Sequence, residues 1–137
     1  MAPFKIKKAS KKSVEYARYI WETHTTYGVD PFLVTALICV ESGGQANART
    51  KTCVGLMQIS AQANMSWIPK RFPHIKTTKD LMKPRNNITV GAFILAEAMR
   101  SAPTVHHALY TYLGRKDKAY ADKVLGIAER MHAANRR

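Results

Sequence analysis

Apolar and polar positions along the chain keep a helical rhythm that is repeatedly cut by glycine or proline. Val14, Tyr16, Ala17, Ile20 and Trp21 recur at helix spacing, which predicts a helix over about 13–26, stopped at Gly28. Asp30-Pro31 restarts one, with the Asp as N-cap and the Pro at the first helical position. An apolar run from Phe32 to Val40 follows, and Glu41-Ser42-Gly43-Gly44 ends it. Residues 45–52 are small and polar and read as a loop, and the mixed run 53–60 reads as a brief strand or turn. One or two helical turns are expected over 61–67. An irregular basic stretch punctuated by Pro69, Pro73 and Pro84 comes next. Ile88, Ala92, Leu95, Ala96 and Met99 share one helical face, with an N-cap expected near Asn86 or Asn87. Pro103 breaks that helix. The last two helices are expected over 104–113 and 117–134, with Gly114 between them.

No strand alternation is sustained, so the expected class is all-α to mostly α. The expectation is one compact helical domain over 1–137, with its core at about 13–128, a basic N-terminal arm at 1–12 and at most a short β-hairpin or turn near 53–60. At 137 residues, 46% hydrophobic and 23% charged, the chain is long enough for a real core and too apolar for a disordered segment. No apolar stretch reaches the ~20 residues of a bilayer crossing, so no transmembrane segment is expected. The positive start, Lys5-Ile6-Lys7-Lys8, has no apolar stretch after it, so no secretory signal is read. The protein then stays inside, leaves by another route, or begins at a mature start.

A net charge of +13 changes the picture by pointing to polyanions: nucleic acid, anionic lipid or an acidic cell-wall polymer. Charge alone does not choose among them. The aromatic residues are not interleaved with the basic ones as in a single-strand binding platform, and no specific nucleic-acid partner is expected. Cys39 and Cys53 read as two free thiols rather than a disulfide framework. His24, His74, His106, His107 and His132 fall at no metal-ligand spacing, and neither a phosphate-cradling glycine loop nor a Gly-x-Ser-x-Gly elbow occurs. No metal and no cofactor are expected.

Among nine acidic residues, Glu41 stands apart because it closes the apolar run at a turn. Desolvation disfavours the charged form and raises the pKa of such a group. A carboxylic acid that keeps its proton near neutral pH can donate it to a leaving group. The competing reading is a carboxylate that merely caps or salt-bridges a helix end.

Three further segments accompany Glu41-Ser42. Gly55-Leu56-Met57-Gln58-Ile59 comes first, then Pro84 with Asn87-Ile88, Gly91 and Leu95, and then Thr111-Tyr112-Leu113-Gly114 with Tyr120 and Val124. In this order and spacing, across roughly residues 13–128, the chain resembles the lytic transglycosylases of the soluble-lytic-transglycosylase type, related in fold to goose-type lysozyme. The resemblance implies a lysozyme-like fold and cleavage of bacterial peptidoglycan between N-acetylmuramic acid and N-acetylglucosamine. It implies that Glu41 is the catalytic acid and then the base, and that a 1,6-anhydro sugar is formed. It carries substrate-binding roles to five positions. Ser42 would orient the Glu41 carboxylate, or serve only as a helix-end hydroxyl. Gly55 would let the backbone approach the helix carrying Glu41. Met57 would line the groove, or fill the core. Gln58 would bond sugar or N-acetyl groups. Tyr112 would bring its hydroxyl near Glu41, or be a buried structural Tyr. Asn87 caps a helix in either reading. Leu113 departs from the Asn common in the family, so no polar contact is carried to it.

Two other functions stay beside this one: a goose-type lysozyme-like muramidase hydrolysing the same bond, and a non-catalytic wall- or polyanion-binding protein. A monomer is expected. It would act on the bacterial wall, with anionic wall polymers or lipopolysaccharide met by the basic surface. The setting is expected to be a phage lysis or virion enzyme, delivered by the virion or released through a phage holin, or equally a domain of a bacterial secretion apparatus.

Overall fold

The computed structural model describes residues 10–136. Among them the order is α1 (Lys11–Tyr27), α2 (Pro31–Ser42), β1 (Cys53–Val54), β2 (Ile59–Ser60), α3 (Ala61–Asn64), α4 (Ile68–Arg71), α5 (Thr78–Met82), α6 (Pro84–Ser101), α7 (Val105–Leu113) and α8 (Lys118–Asn135). The fold is mostly α, as the hydrophobic rhythm predicts, with one small antiparallel hairpin at the expected place. Its register pairs Cys53 with Ser60 and Val54 with Ile59.

Local chemistry sets the helix ends. Ser10 caps α1 by accepting from the Ser13 N–H at 3.0 Å, so Lys11 and Lys12 of the expected basic arm lie in the first turn of α1. Residues 1–9, with Lys5, Lys7 and Lys8, fall outside the described residues. Asp30 Oδ1 accepts from the Phe32 N–H at 2.9 Å, with Pro31 in the first turn, as expected for α2. That helix stops at Gly43, which takes φ 63°, a left-handed conformation open to glycine at little cost.

Two expectations are corrected. The basic stretch 69–84 is not irregular throughout, since it contains α4 and α5. Thr77 and Asp80 form a reciprocal capping box that starts α5, a signal present in the sequence. Nor does Asn86 or Asn87 cap α6. That helix begins at Pro84, whose fixed φ suits the first helical position, and Asn87 lies inside it, fully buried.

The core is formed by the inward faces of α1, α2, α6 and α8 with the hairpin, including Leu37, Leu56, Met57, Ile88, Leu95 and Val124. α2 packs most extensively on α8, and α1 on α6. Helix α2 carries Leu33, Val34, Ala36, Leu37 and Ile38 inside, so nearly its whole circumference is apolar. Polar contacts join both its ends to α8. At the N-terminal end, His132 Nε2 lies 2.6 Å from Asp30 Oδ2, and its ring packs edge-on to Phe32. At the other end, Tyr120 reaches Glu41. The two helices therefore run antiparallel. Among the described residues no helix is long and apolar enough to cross a membrane. Cys39 and Cys53 are both free thiols.

Candidate active site

Glu41 occupies the next-to-last position of α2, half-buried. Two features of that place work against a charged carboxylate: the apolar helix that carries it, and the negative end of the helix dipole. Tyr120, in the first turn of α8, donates from Oη to Glu41 Oε2 at 2.5 Å. Its backbone is fixed by Asp117, which caps α8 by accepting the Tyr120 N–H at 3.0 Å. Burial pushes the Glu41 carboxyl above its ordinary range, while the Tyr120 hydrogen bond and the Arg115 charge pull the other way without cancelling it. Burial, reinforced by Glu41, raises Tyr120 far above the usual phenol value, so Tyr120 remains a donor. Tyr112 is pushed up too, chiefly by burial and then by the charges of Glu41 and Cys53. Among the described residues, no second carboxylate acts on Glu41. Among the described residues Oε1 takes no hydrogen bond and is not sealed from solvent.

The structure places the motif residues differently from the roles implied by resemblance. Ser42 does not bond the carboxylate. Its Oγ donates to the Ile38 carbonyl and accepts the Gly44 N–H, both at 3.1 Å, because the helix end leaves those groups without partners. Gly55, at φ 85°, lets the hairpin turn approach α6 rather than α2, and a Cβ there would collide with the Asn87 amide. The Met57 side chain is fully buried rather than groove-lining, and it packs where a Cβ on Gly91 of α6 would otherwise lie. Gln58 takes φ 48° and turns its Nε2 back to the carbonyls of Gly55 (2.9 Å) and Ala48 (3.1 Å), so that amide nitrogen serves the turn. Tyr112 donates to the Met57 carbonyl at 2.7 Å, and the phenol on Glu41 is Tyr120 instead. Asn87 is the hub. Its Oδ1 accepts the Met57 N–H at 2.7 Å, and its Nδ2 donates to the carbonyls of Val54 (3.0 Å) and Leu81 (2.9 Å).

Sequence reading gave Tyr120 a place in the last motif but no role. The available signal was a Tyr three residues after the helix-capping Asp117, which fixes it in the first turn of α8. Two concavities lie elsewhere on the surface. One of about 410 Å³ is lined by Lys12, Tyr16 and the loop 43–47; the other, of about 400 Å³, is lined by Trp67, Phe93, Ile94, Glu97 and Thr111 among others. Glu41 lines neither, and it is the chemistry of the carboxyl that marks the site. A carboxyl whose proton affinity is raised by burial and which is fixed by a phenol can give a proton to a leaving oxygen and take one back.

Residues 18–120 match the family described as the transglycosylase SLT domain. The chain is also similar to proteins named endo-type membrane-bound lytic murein transglycosylase A from Salmonella paratyphi B, Salmonella enteritidis and Salmonella gallinarum. Each is 35% identical over 89 residues, covering 63% of this chain and 44% of the relative. The chain thus spans less than half the length of these relatives. The family match runs from inside α1 to Tyr120 and so takes in both partners of the Glu41–Tyr120 bond. With well over half its residues matched, the chain belongs to the transglycosylase SLT domain family.

Proposed function

We propose that the protein is a lytic transglycosylase that cleaves peptidoglycan between N-acetylmuramic acid and N-acetylglucosamine. The observation that carries this reading is Glu41: one carboxyl whose proton affinity burial raises and whose side-chain hydrogen bond among the described residues comes from a phenol, Tyr120. Hydrolysis of a glycosidic bond usually employs two carboxylates, the second serving as nucleophile or activating water. An intramolecular nucleophile removes that need, and proximity supplies much of the rate. Glu41 gives its proton to the bridging oxygen as the anomeric C–O bond breaks, and the N-acetylglucosamine side leaves as an alcohol. The muramyl C6 hydroxyl then bonds to its own anomeric carbon and returns its proton to Glu41. No water is consumed, and the product carries a 1,6-anhydro ring. Tyr120 holds the carboxyl through both steps and keeps its own proton.

The test is purified peptidoglycan digested by the wild type and by Glu41→Gln, with products weighed by mass spectrometry. Anhydro-muramyl ends, lighter by one water than reducing ends, are expected from the wild type and none from the variant. Reducing ends would replace the transglycosylase reading with a muramidase. Binding without cleavage would replace it with a wall-binding protein.

The setting we propose is local wall lysis or penetration, with a phage lysis or virion enzyme as the first choice. The +13 charge supports it, since it favours retention on anionic wall polymers or lipopolysaccharide. Wall retention in pelleting assays should fall as salt shortens the Debye length from about 30 Å at 0.01 M to about 3 Å at 1 M. Retention indifferent to salt would remove that support.

A further inference from the structure

The turn 114–117 joins α7 to α8 and is flanked by Tyr112, which bonds the Met57 carbonyl, and Tyr120, which bonds Glu41. It is short and fixed. The N–H groups of Gly114 and Arg115 both reach the Tyr110 carbonyl, at 2.8 and 3.1 Å, and Gly114 takes φ 93°. Arg115 thus starts from a bonded turn five residues before Tyr120. Its guanidinium lies 3.8 Å from Asp117, whose other oxygen accepts the Tyr120 N–H, so its charge falls on Tyr120 and on the Glu41 carboxyl that Tyr120 holds. It is the only cation among the described residues that does so.

Its own pairing is loose. The nearest acid is Asp117, with Oδ2 at 3.8 Å from Nη2, and the other Asp117 oxygen is occupied by the Tyr120 N–H. The Arg115 side chain is 68% exposed. A guanidinium with five donors thus stands near the acid, with most of those donors unspent among the described residues.

Proton transfer by Glu41 gains nothing from this cation. It lowers the proton affinity of the acid and opposes the positive charge that develops on the sugar ring. A substrate anion docked on the guanidinium would neutralise that field just as the acid must hold its proton. The sugar on one side of the scissile bond carries such a group: the muramyl C3 substituent ends in a carboxylate, either its own lactyl group or, when that is amidated, the attached stem peptide. Resting on the proposed transglycosylase reading, we propose that Arg115 is a specificity residue that binds a carboxylate borne by the muramyl C3 substituent. The four-residue turn that follows the departing Leu113 thereby supplies a polar contact from a different position.

The test compares wild type, Arg115→Ala and Arg115→Lys on three soluble glycans of equal length. In the first, stem peptides are removed and lactyl carboxylates are free. The second is the same chain with those carboxyls converted to methyl amides. The third carries intact stem peptides. Arg115→Ala is expected to lose about 10–100-fold in kcat/KM, chiefly through KM, on a carboxylate-bearing chain, the scale of one charge-assisted hydrogen bond. On the neutral amide chain the loss should be under about 3-fold, within the span of a surface contact. Arg115→Lys should recover part of it. A loss confined to the first chain assigns the lactyl carboxylate, and one confined to the third assigns the stem peptide. On the neutral chain, Arg115→Ala should also move the basic limb of the kcat/KM profile to higher pH, because the carboxyl loses a cation that lowers its pKa; Tyr120 and Tyr112 stay in place and neutral. Equal losses on all three chains, no loss on any, or an unmoved pH limb would overturn the assignment. Each of these still leaves the wild type cleaving all three. If the wild type cleaves none of them, the transglycosylase reading falls, and this inference with it.

Discussion

Asn87 and Glu41 are the centres of two polar clusters that sit at different places on one core and differ in how completely they are paired. Around Asn87, every side-chain hydrogen-bonding atom is engaged: one acceptor and two donors serve Met57, Val54 and Leu81, and the residue is fully buried. Gln58 and Tyr112 close the same hairpin turn with further bonds to the main chain. Around Glu41, one oxygen is bound by Tyr120 and the other takes no bond among the described residues, while Arg115 acts on the pair and has a loose partner. A saturated cluster fixes a shape, because each buried bond is costly to break. An unsaturated one retains capacity for a substrate. The family motif spans both clusters, so a motif residue is as readily a builder as a reactant.

The sharpest way to break this comparison is Glu41→Gln. The amide preserves shape and can still accept from Tyr120, yet it cannot deliver a proton. Turnover on peptidoglycan should fall by at least about 10²–10⁴-fold, the range of general acid–base catalysis. Near wild-type clearing would end the assignment. The same variant has a stability signature of fixed sign. The folded-state pKa of Glu41 is raised, so its favourable contribution is present below the unfolded value and is lost as pH rises through the folded value. Glu41→Gln should therefore melt higher than wild type at neutral pH and lose that advantage in acid. Thermal melts across pH 4–8 check this, and an advantage that grows in acid would contradict it.

Asn87→Ala should show the opposite pairing of effects. It strands the Met57 N–H and the Val54 and Leu81 carbonyls, each worth about 1–3 kcal/mol when left buried and unpaired. Urea unfolding should report a loss of about 3 kcal/mol or more, with surviving folded protein still active at low temperature. A variant with unchanged stability but no activity would move Asn87 from builder to reactant.

Tyr120→Phe separates orientation from packing, because it removes only the hydroxyl. Loss of a hydrogen bond to a charged group, about 1.5–3 kcal/mol, predicts a fall in rate of about 10–100-fold. The Tyr120 bond also lowers the Glu41 pKa, so the basic limb of kcat/KM should shift to higher pH. An unshifted limb would make Tyr120 structural. Ser42→Ala is the smallest effect. Two bonds at the α2 terminus are lost, for about 1 kcal/mol of stability, and kcat should stay within about 2-fold. A large kcat loss at unchanged stability would return Ser42 to the role that resemblance gave it.

Much of the framework was legible in the chain. Helix ends at Asp30-Pro31, Gly28, Gly43 and Gly114 follow from capping and φ preference, which are local, and the structure has them where the sequence predicts. A raised Glu41 carboxyl was expected from its place at the end of an apolar run, and burial does raise it. The α5 capping box was equally local and was missed only because the prolines around it read as irregular chain.

What only the tertiary structure decided is the partner of each polar group. The Glu41–Tyr120 bond spans 79 residues, Tyr112 to Met57 spans 55, and Asn87 to Met57 spans 30. Two tyrosines eight positions apart flank one turn, and no local rule says which reaches the acid and which the hairpin. That is set by how α7 and α8 pack, and hence by burial summed over the core. The sequence by itself therefore determined where most helices begin and end and which carboxyl closes an apolar run. Packing alone determined that Gly55, Met57, Gln58 and Asn87 build the hairpin while Tyr120 and Arg115 attend the acid, because short-range preferences fix dihedrals and only the close-packed interior brings distant side chains within hydrogen-bond reach.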